Sequence, residues 1–319
     1  MKTSKKYIVT ALIVLAVVLG IARFYDSGKH LIQPAPKLQD WILATQHAGF
    51  NPRDTAWTTI FKDKMYIGNG WANGGILTRD LWSSADGVKW ELVLNDTPYE
   101  PYAKLLVFKD KLWAIRTEIW SSENGQDWTK EAIAPFGDFG EVIVHNNTLL
   151  RIGHDGVWKS CNGIFWELLS DNPPFRDRAF GSIISFQGKL WLMGGREIAP
   201  NNPSEKNYPD WTTYNDVWVS QDGVAWERII EHAPWEPRIW FKTIIHKDKI
   251  WLLGGFSNKK CTNYNDVWET EDGIHWQQIN FGTIWSPRHE FGICDFNNKL
   301  WVIAGATQPV VNEVWFLED

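Results

Sequence analysis

Asn215-Asp216-Val217-Trp218-Val219-Ser220-Gln221-Asp222-Gly223-Val224-Ala225-Trp226 reads as a strand, a tight turn and a second strand. Asp-Gly between two short runs is a strong hairpin signal, and it predicts a two-residue type I′ turn with positive φ at both central positions. The unit recurs at 80–90 around Asp86-Gly87, at 118–128 around Asn124-Gly125, at 156–166 around Asn162-Gly163, and at 265–276 around Asp272-Gly273. A sixth copy is divided: Asn312-Glu313-Val314-Trp315 is its first half, and Asp40-Trp41-Ile42-Leu43, which matches Trp90-Glu91-Leu92-Val93, is its second.

A second hairpin precedes each copy. It turns at Lys62-Asp63, Lys109-Asp110, Asn146-Asn147, Gln187-Gly188, Lys247-Asp248 and Asn297-Asn298. Two hairpins make four strands, and the Trp at the Val-Trp position recurs at intervals of 38, 38, 60, 50 and 47 residues. Four-stranded units at such periods predict an all-β, six-bladed β-propeller over 41–319, closed by the strand near residue 41.

The paired glycines Gly194-Gly195 and Gly254-Gly255, each followed by Asn-Asp-Val-Trp, resemble the kelch repeat and the central domain of galactose oxidase. The resemblance covers the chain after about residue 41 and is loose in blades 2 and 3, which lack the double Gly. Five of the turns also look like a shortened sialidase Asp-box, Ser-x-Asp-Gly-x-x-Trp, which in that family is a structural turn.

Sixteen of the 22 Trp fit the repeat and are expected to pack blade against blade. Residues 1–24 differ: Lys2, Lys5 and Lys6 precede the uncharged run 7–22, which predicts a hydrophobic helix acting as an export signal or an uncleaved membrane anchor. The lysines place the N-terminus in the cytoplasm and the propeller outside. Residues 25–40, with Pro34 and Pro36, read as a linker. The three Cys make no disulfide framework, although Cys261 with Cys294 is one conceivable pair. A net charge of −6 without a long basic run argues against nucleic acid. No metal-binding spacing is present, and no metal or cofactor is expected.

Strand parity divides the connections between two faces. Turns inside hairpins are short and share one face. Links between hairpins and between blades share the other and vary in length, so a site is expected there. Arg53, Arg178, Arg238 and Arg288 recur at one position on that face, where blades 2 and 3 have Glu100 and Gly137. Resemblance to kelch-type propellers implies that they ring part of the channel mouth, where four guanidinium groups read as an anion site; Asp54, Asp177, Glu236 and Glu290 are near enough in sequence to neutralise them instead. Trp71, Trp211, Trp235 and Trp285 fall in the same links and are candidates to stack on a sugar.

These features predict an exported, membrane-anchored binding module whose partner is a protein or an acidic carbohydrate. The alternative is a carbohydrate-active enzyme, since the resemblance extends to sialic-acid mutarotases and sialidases. Glu290, His289, Asp54 and Asp177 are then the acid/base candidates, but no catalytic constellation can be assembled from spacing. A galactose-oxidase-like copper radical site fares worst, for want of a recognisable Tyr, His and Cys set.

Overall fold

The computed structural model describes residues 39–138, 140–175, 178–179, 181–197 and 211–318. These form six antiparallel sheets and no helix. No helix among the described residues is long and apolar enough to cross a membrane. The N-terminal segment expected to be a signal or anchor, and most of its linker, lie outside them.

Blade 1 comprises Arg53–Asp54 with Trp57–Phe61, then Lys64–Ala72, Ile76–Ser84 and Glu91–Leu94. Blade 2 is Lys104–Phe108, Lys111–Ile115, Glu118–Ser122 and Trp128–Ile133. Blade 3 is Gly140–His145, Thr148–Gly153, Gly156–Ser160 and Glu167–Ser170. Blade 4 is Arg178–Ala179 with Ser182–Phe186, then Lys189–Glu197, Thr213–Ser220 and Trp226–Ile230. Blade 5 is Lys242–His246, Lys249–Ser257, Thr262–Thr270 and Gln277–Ile279. Blade 6 is Gly292–Phe296, Lys299–Ala306 and Val310–Leu317, with Trp41–Thr45 paired antiparallel to the last. The first strands of successive blades touch, and that of blade 6 touches that of blade 1, so the sheets form a ring around a channel.

The core follows from this arrangement. It is six apolar clusters, each between two neighbouring blades. The repeat Trp help to build them. The edge of Trp301 in blade 6 lies against Gly87 in blade 1, where a Cβ would stand 2.1 Å from the indole. Gly87 also has φ of 74°, so two constraints select glycine there.

The turns exchange the roles expected of them. Type I′ geometry, with positive φ at both residues, belongs to the first hairpins: Lys62 and Asp63 have φ of 46° and 56°, and Phe61 pairs with Lys64. The Asp-Gly turns are longer and are held by side chains. In blade 4 the Ser220 hydroxyl accepts from the Gly223 N–H at 2.9 Å, the Asp222 carboxylate accepts from Val224 and Ala225, and Trp226 Nε1 donates to Gly223 O. Positive φ is needed only at the Gly, because the Asp carboxylate satisfies the next two N–H groups. All three cysteines are free; Cys161 and Cys261 are exposed and Cys294 is buried.

Candidate ligand site in the channel

The Arg, the double Gly and the Asn-Asp-Val-Trp motif are parts of one clamp. In blade 5, Arg238 donates two bonds to Asp266, at 2.5 and 2.9 Å, and Nη1 also donates to Gly254 O at 2.9 Å. Gly254 and Gly255 have φ of 57° and 105°, and the register shifts between Leu253 and Gly255. This bulge turns the Gly254 carbonyl toward the guanidinium. Trp268 Nε1 donates to Asp266 as well, at 2.8 Å.

Blades 1, 4 and 6 repeat the device. Arg53 binds Asp80 and Asn69 O, Arg178 binds Asp216 and Gly194 O, and Arg288 binds Glu313 and Ala304 O. The motif's Asn ties down the blade-to-blade link: Asn215 Nδ2 donates to Ala233 O and Trp235 O.

Two residues past the clamp arginine in blades 1, 5 and 6, the chain takes a conformation that few side chains tolerate. Thr55, Trp240 and Glu290 have φ of 54°, 58° and 49°, and Tyr102, at the same position in blade 2, has 65°. A β-branched or aromatic residue there is strained and persists only where its surroundings enforce it. Neighbouring members are joined across blades: the Thr55 N–H donates to Glu290 O at 2.9 Å, and the Glu290 N–H to Trp240 O at 3.0 Å.

All four line a cavity of about 750 Å³ in the channel. Two residues further on, where the innermost strands begin, Trp57, Lys104, Glu141 and Lys242 line it too. The alternation follows from the period of two along a strand. Lys104 and Lys242 place their ammonium groups 4.7 and 4.8 Å from the Trp57 ring centre, and Lys104 is ion-paired to Glu141. Arg116 donates Nε to Asp138 at 2.6 Å.

Burial, then the adjacent Asp54 charge, pushes the Glu290 carboxyl up to about 7. Burial raises Asp54 as well, against a bond from the Thr55 hydroxyl. It pushes His289 down to about 4. The Lys242 ammonium is lowered by burial, opposed by Glu141 and Glu290 and reinforced by Lys104. His289 stacks on Trp240 with ring centres 5.0 Å apart, and Trp211 meets Trp240 edge-on at 6.3 Å.

The architecture is shared with solved structures. That described as "Structure of YjhT" is similar with a TM-score of 0.65 at 14% identity, covering 85% of this chain and 96% of that one. Likeness at this identity shows the six-bladed propeller fold alone. No protein-family model matches the chain, and no curated protein matches it.

The residues singled out by sequence divide sharply. Arg53, Arg238 and Arg288 are at most 1% exposed and spend their donors inside their own blades. Their carboxylate partners are the motif acids of the same blade rather than the neighbours Asp54, Glu236 or Glu290. Trp235 and Trp285 are equally buried, packed edge-on against Trp276 and Trp41. These five side chains are engaged inside the fold, the arginines by a carboxylate and a bulge carbonyl of their own blade and the tryptophans in apolar clusters between blades. Arg178 and Trp71 line the cavity, Trp71 at 44% exposure. Trp211 lies under the Arg196 guanidinium, 3.7 Å from ring centre to Cζ. Asp54, His289 and Glu290 converge, whereas Asp177 lies outside the described residues. Sequence reasoning missed Trp57, Lys104, Glu141 and Lys242, although aligning the repeats four residues past the arginine column picks out all four.

Proposed function

We propose that the chain is a kelch-like, exported and membrane-anchored propeller that binds a small acidic carbohydrate in the channel. The observation that carries this reading is the Lys104–Trp57–Lys242 arrangement on a cavity of about 750 Å³, a volume in the range of small-molecule sites. An aromatic face suits the CH groups of a sugar ring, and an ammonium suits its carboxylate. Lys104 is engaged by Glu141, which leaves Lys242 as the cation for the ligand. Arg178, Trp71 and Trp211 contribute from the rim. Export and anchoring rest on the N-terminal lysines and the apolar run 7–22.

Calorimetric titration of the full chain with hexuronic acids, sialic acids and their neutral parent sugars tests the reading. We expect one acidic sugar to bind at a single site, its neutral parent to bind more weakly, and Lys242→Met and Trp57→Leu each to lose the binding while still folded. No binding across the panel, or unchanged affinity in both variants, refutes it.

Catalysis on the bound sugar, as in a mutarotase-like enzyme, is favoured by one observation: two carboxylates and an imidazole face the cavity together. Exchange between anomers, followed by NMR with and without protein, separates a catalyst from a binder.

A further inference from the structure

We propose that Asp54, His289 and Glu290 form a binding site for one divalent transition-metal ion at the cavity wall. A nitrogen of His289 and one oxygen from each carboxylate lie within 4.8 Å of one another. Ligand atoms about 2.0–2.2 Å from a zinc ion stand at most about 4.4 Å apart, so the three atoms need to draw only somewhat closer to share one ion. The three residues come from opposite ends of the sequence and are brought together by ring closure between blades 6 and 1, which is why no local spacing announces them.

The second observation is the state of the imidazole. His289 is 8% exposed. Its Nδ1 lies 2.6 Å from Asn263 Oδ1, and Asn263 Nδ2 donates to Ala306 O at 2.9 Å. The amide is thereby oriented with its oxygen toward the ring. Nδ1 must carry the hydrogen and Nε2 the lone pair. Nε2 has no hydrogen-bond partner among the described residues, and His289 lines the cavity. An outer partner that fixes the tautomer and ring plane is the usual support of a metal-binding histidine. Trp240 and Phe256 hold the ring from its sides.

The donor set selects the class of ion. One imidazole and two carboxylates suit Mn²⁺ or Zn²⁺, and no thiolate is present to favour a softer ion. Three protein ligands at the wall of a cavity leave coordination positions for a bound molecule. Among the charged groups nearby, Lys104 and Arg116 are occupied by Glu141 and Asp138, and Lys242 is the cation that opposes the ion. Asp54 and Glu290 together outweigh it. The site is independent of the sugar reading, because the ion alone is the probe.

The test is titration of the untagged full chain, stripped with chelator, with Mn²⁺ followed by EPR of the free ion and with Zn²⁺ by calorimetry. We expect one ion per chain, with quenching of tryptophan emission by Mn²⁺ because Trp240 lies against the ligand histidine. Asp54→Asn and His289→Gln should each abolish binding, and circular dichroism and thermal melts establish that they fold. Asn263→Leu should weaken affinity about 10–100-fold through loss of ring orientation. Lys242→Met should tighten it. Absence of binding to the wild type at millimolar ion overturns the proposal. So does binding that survives both ligand substitutions, or that is indifferent to Asn263 and Lys242.

Discussion

Blades 1, 4, 5 and 6 carry the clamp of arginine, bulge carbonyl and motif acid; blades 2 and 3 solve the same problem by other means. At the arginine position blade 2 has Glu100, whose carboxylate accepts from the N–H groups of Thr117 and Glu118 and from the Thr117 hydroxyl. Blade 3 has Gly137, and its arginine comes from the second strand instead. Arg151 pairs with Asp155 and donates to Gly137 O and Asp138 O. It also fills the space where Cβ atoms on Gly140 and Gly153 would stand. The motif acid becomes Gly156 in blade 3, and Trp158 Nε1, which elsewhere donates to that acid, has no partner among the described residues. The recurring arginine therefore belongs to the fold. Groups facing the channel come from the positions one, two and four residues beyond it, where the blades differ from one another.

Breaking the clamp should have the largest effect. Arg238→Ala leaves the part-buried Asp266 and a bulge carbonyl without their partner, and we expect a loss of about 3–5 kcal/mol in denaturant unfolding. Replacing both partners with apolar residues, as in Arg238→Met with Asp266→Leu, should recover much of it, because no uncompensated charge remains. Gly255→Ala attacks the bulge. Its Cβ would lie 2.7 Å from that of Phe241 at φ of 105°, so a loss of roughly 1–3 kcal/mol is expected. Gly188→Ala, also at positive φ but with no atom within 4 Å, should cost less. In blade 2, Arg116→Ala should cost about 1–2 kcal/mol, since that pair keeps a quarter to a third of its surface in water.

The smallest effect is a response to acid. Against burial, the Val88, Lys89, Val224 and Ala225 N–H groups hold the Asp86 and Asp222 carboxyls below the usual range, and Asp272 is lowered by the His275 side chain together with the His275 and Ile274 N–H groups. A folded-state value below the unfolded one contributes stability at neutral pH that is lost as pH falls below about 4. The equivalent residues in blades 2 and 3 are Asn124 and Asn162, which do not titrate there. Hydrogen exchange at about pH 3 against pH 6 should therefore loosen the turns of blades 1, 4 and 5 and leave those of blades 2 and 3 unchanged. Asp222→Asn should abolish the response in blade 4.

The blade count, the four-strand units and the elaborated face were legible because turn residues and Trp recur at fixed offsets, and strand parity does the rest. The site was legible only in part. Arg238 and Trp235 stand out in sequence because repetition makes them conspicuous, but repetition is the mark of a structural part in a repeat fold. Lys242, Trp57 and Glu141 occupy one column of the repeat, yet the column holds a different residue in most blades and gives no pattern to notice. His289 and Glu290 were legible as acid/base candidates; their convergence with Asp54 was not, because it depends on ring closure across more than 200 residues.

The most direct test of this division measures stability and acidic-sugar affinity together in two variants, the Arg238→Ala clamp variant and Lys242→Met. The account predicts that the clamp variant loses stability and keeps its affinity, while Lys242→Met keeps its stability and loses its affinity. Loss of affinity in the clamp variant with full binding by Lys242→Met would contradict it and return the ligand to the arginine ring.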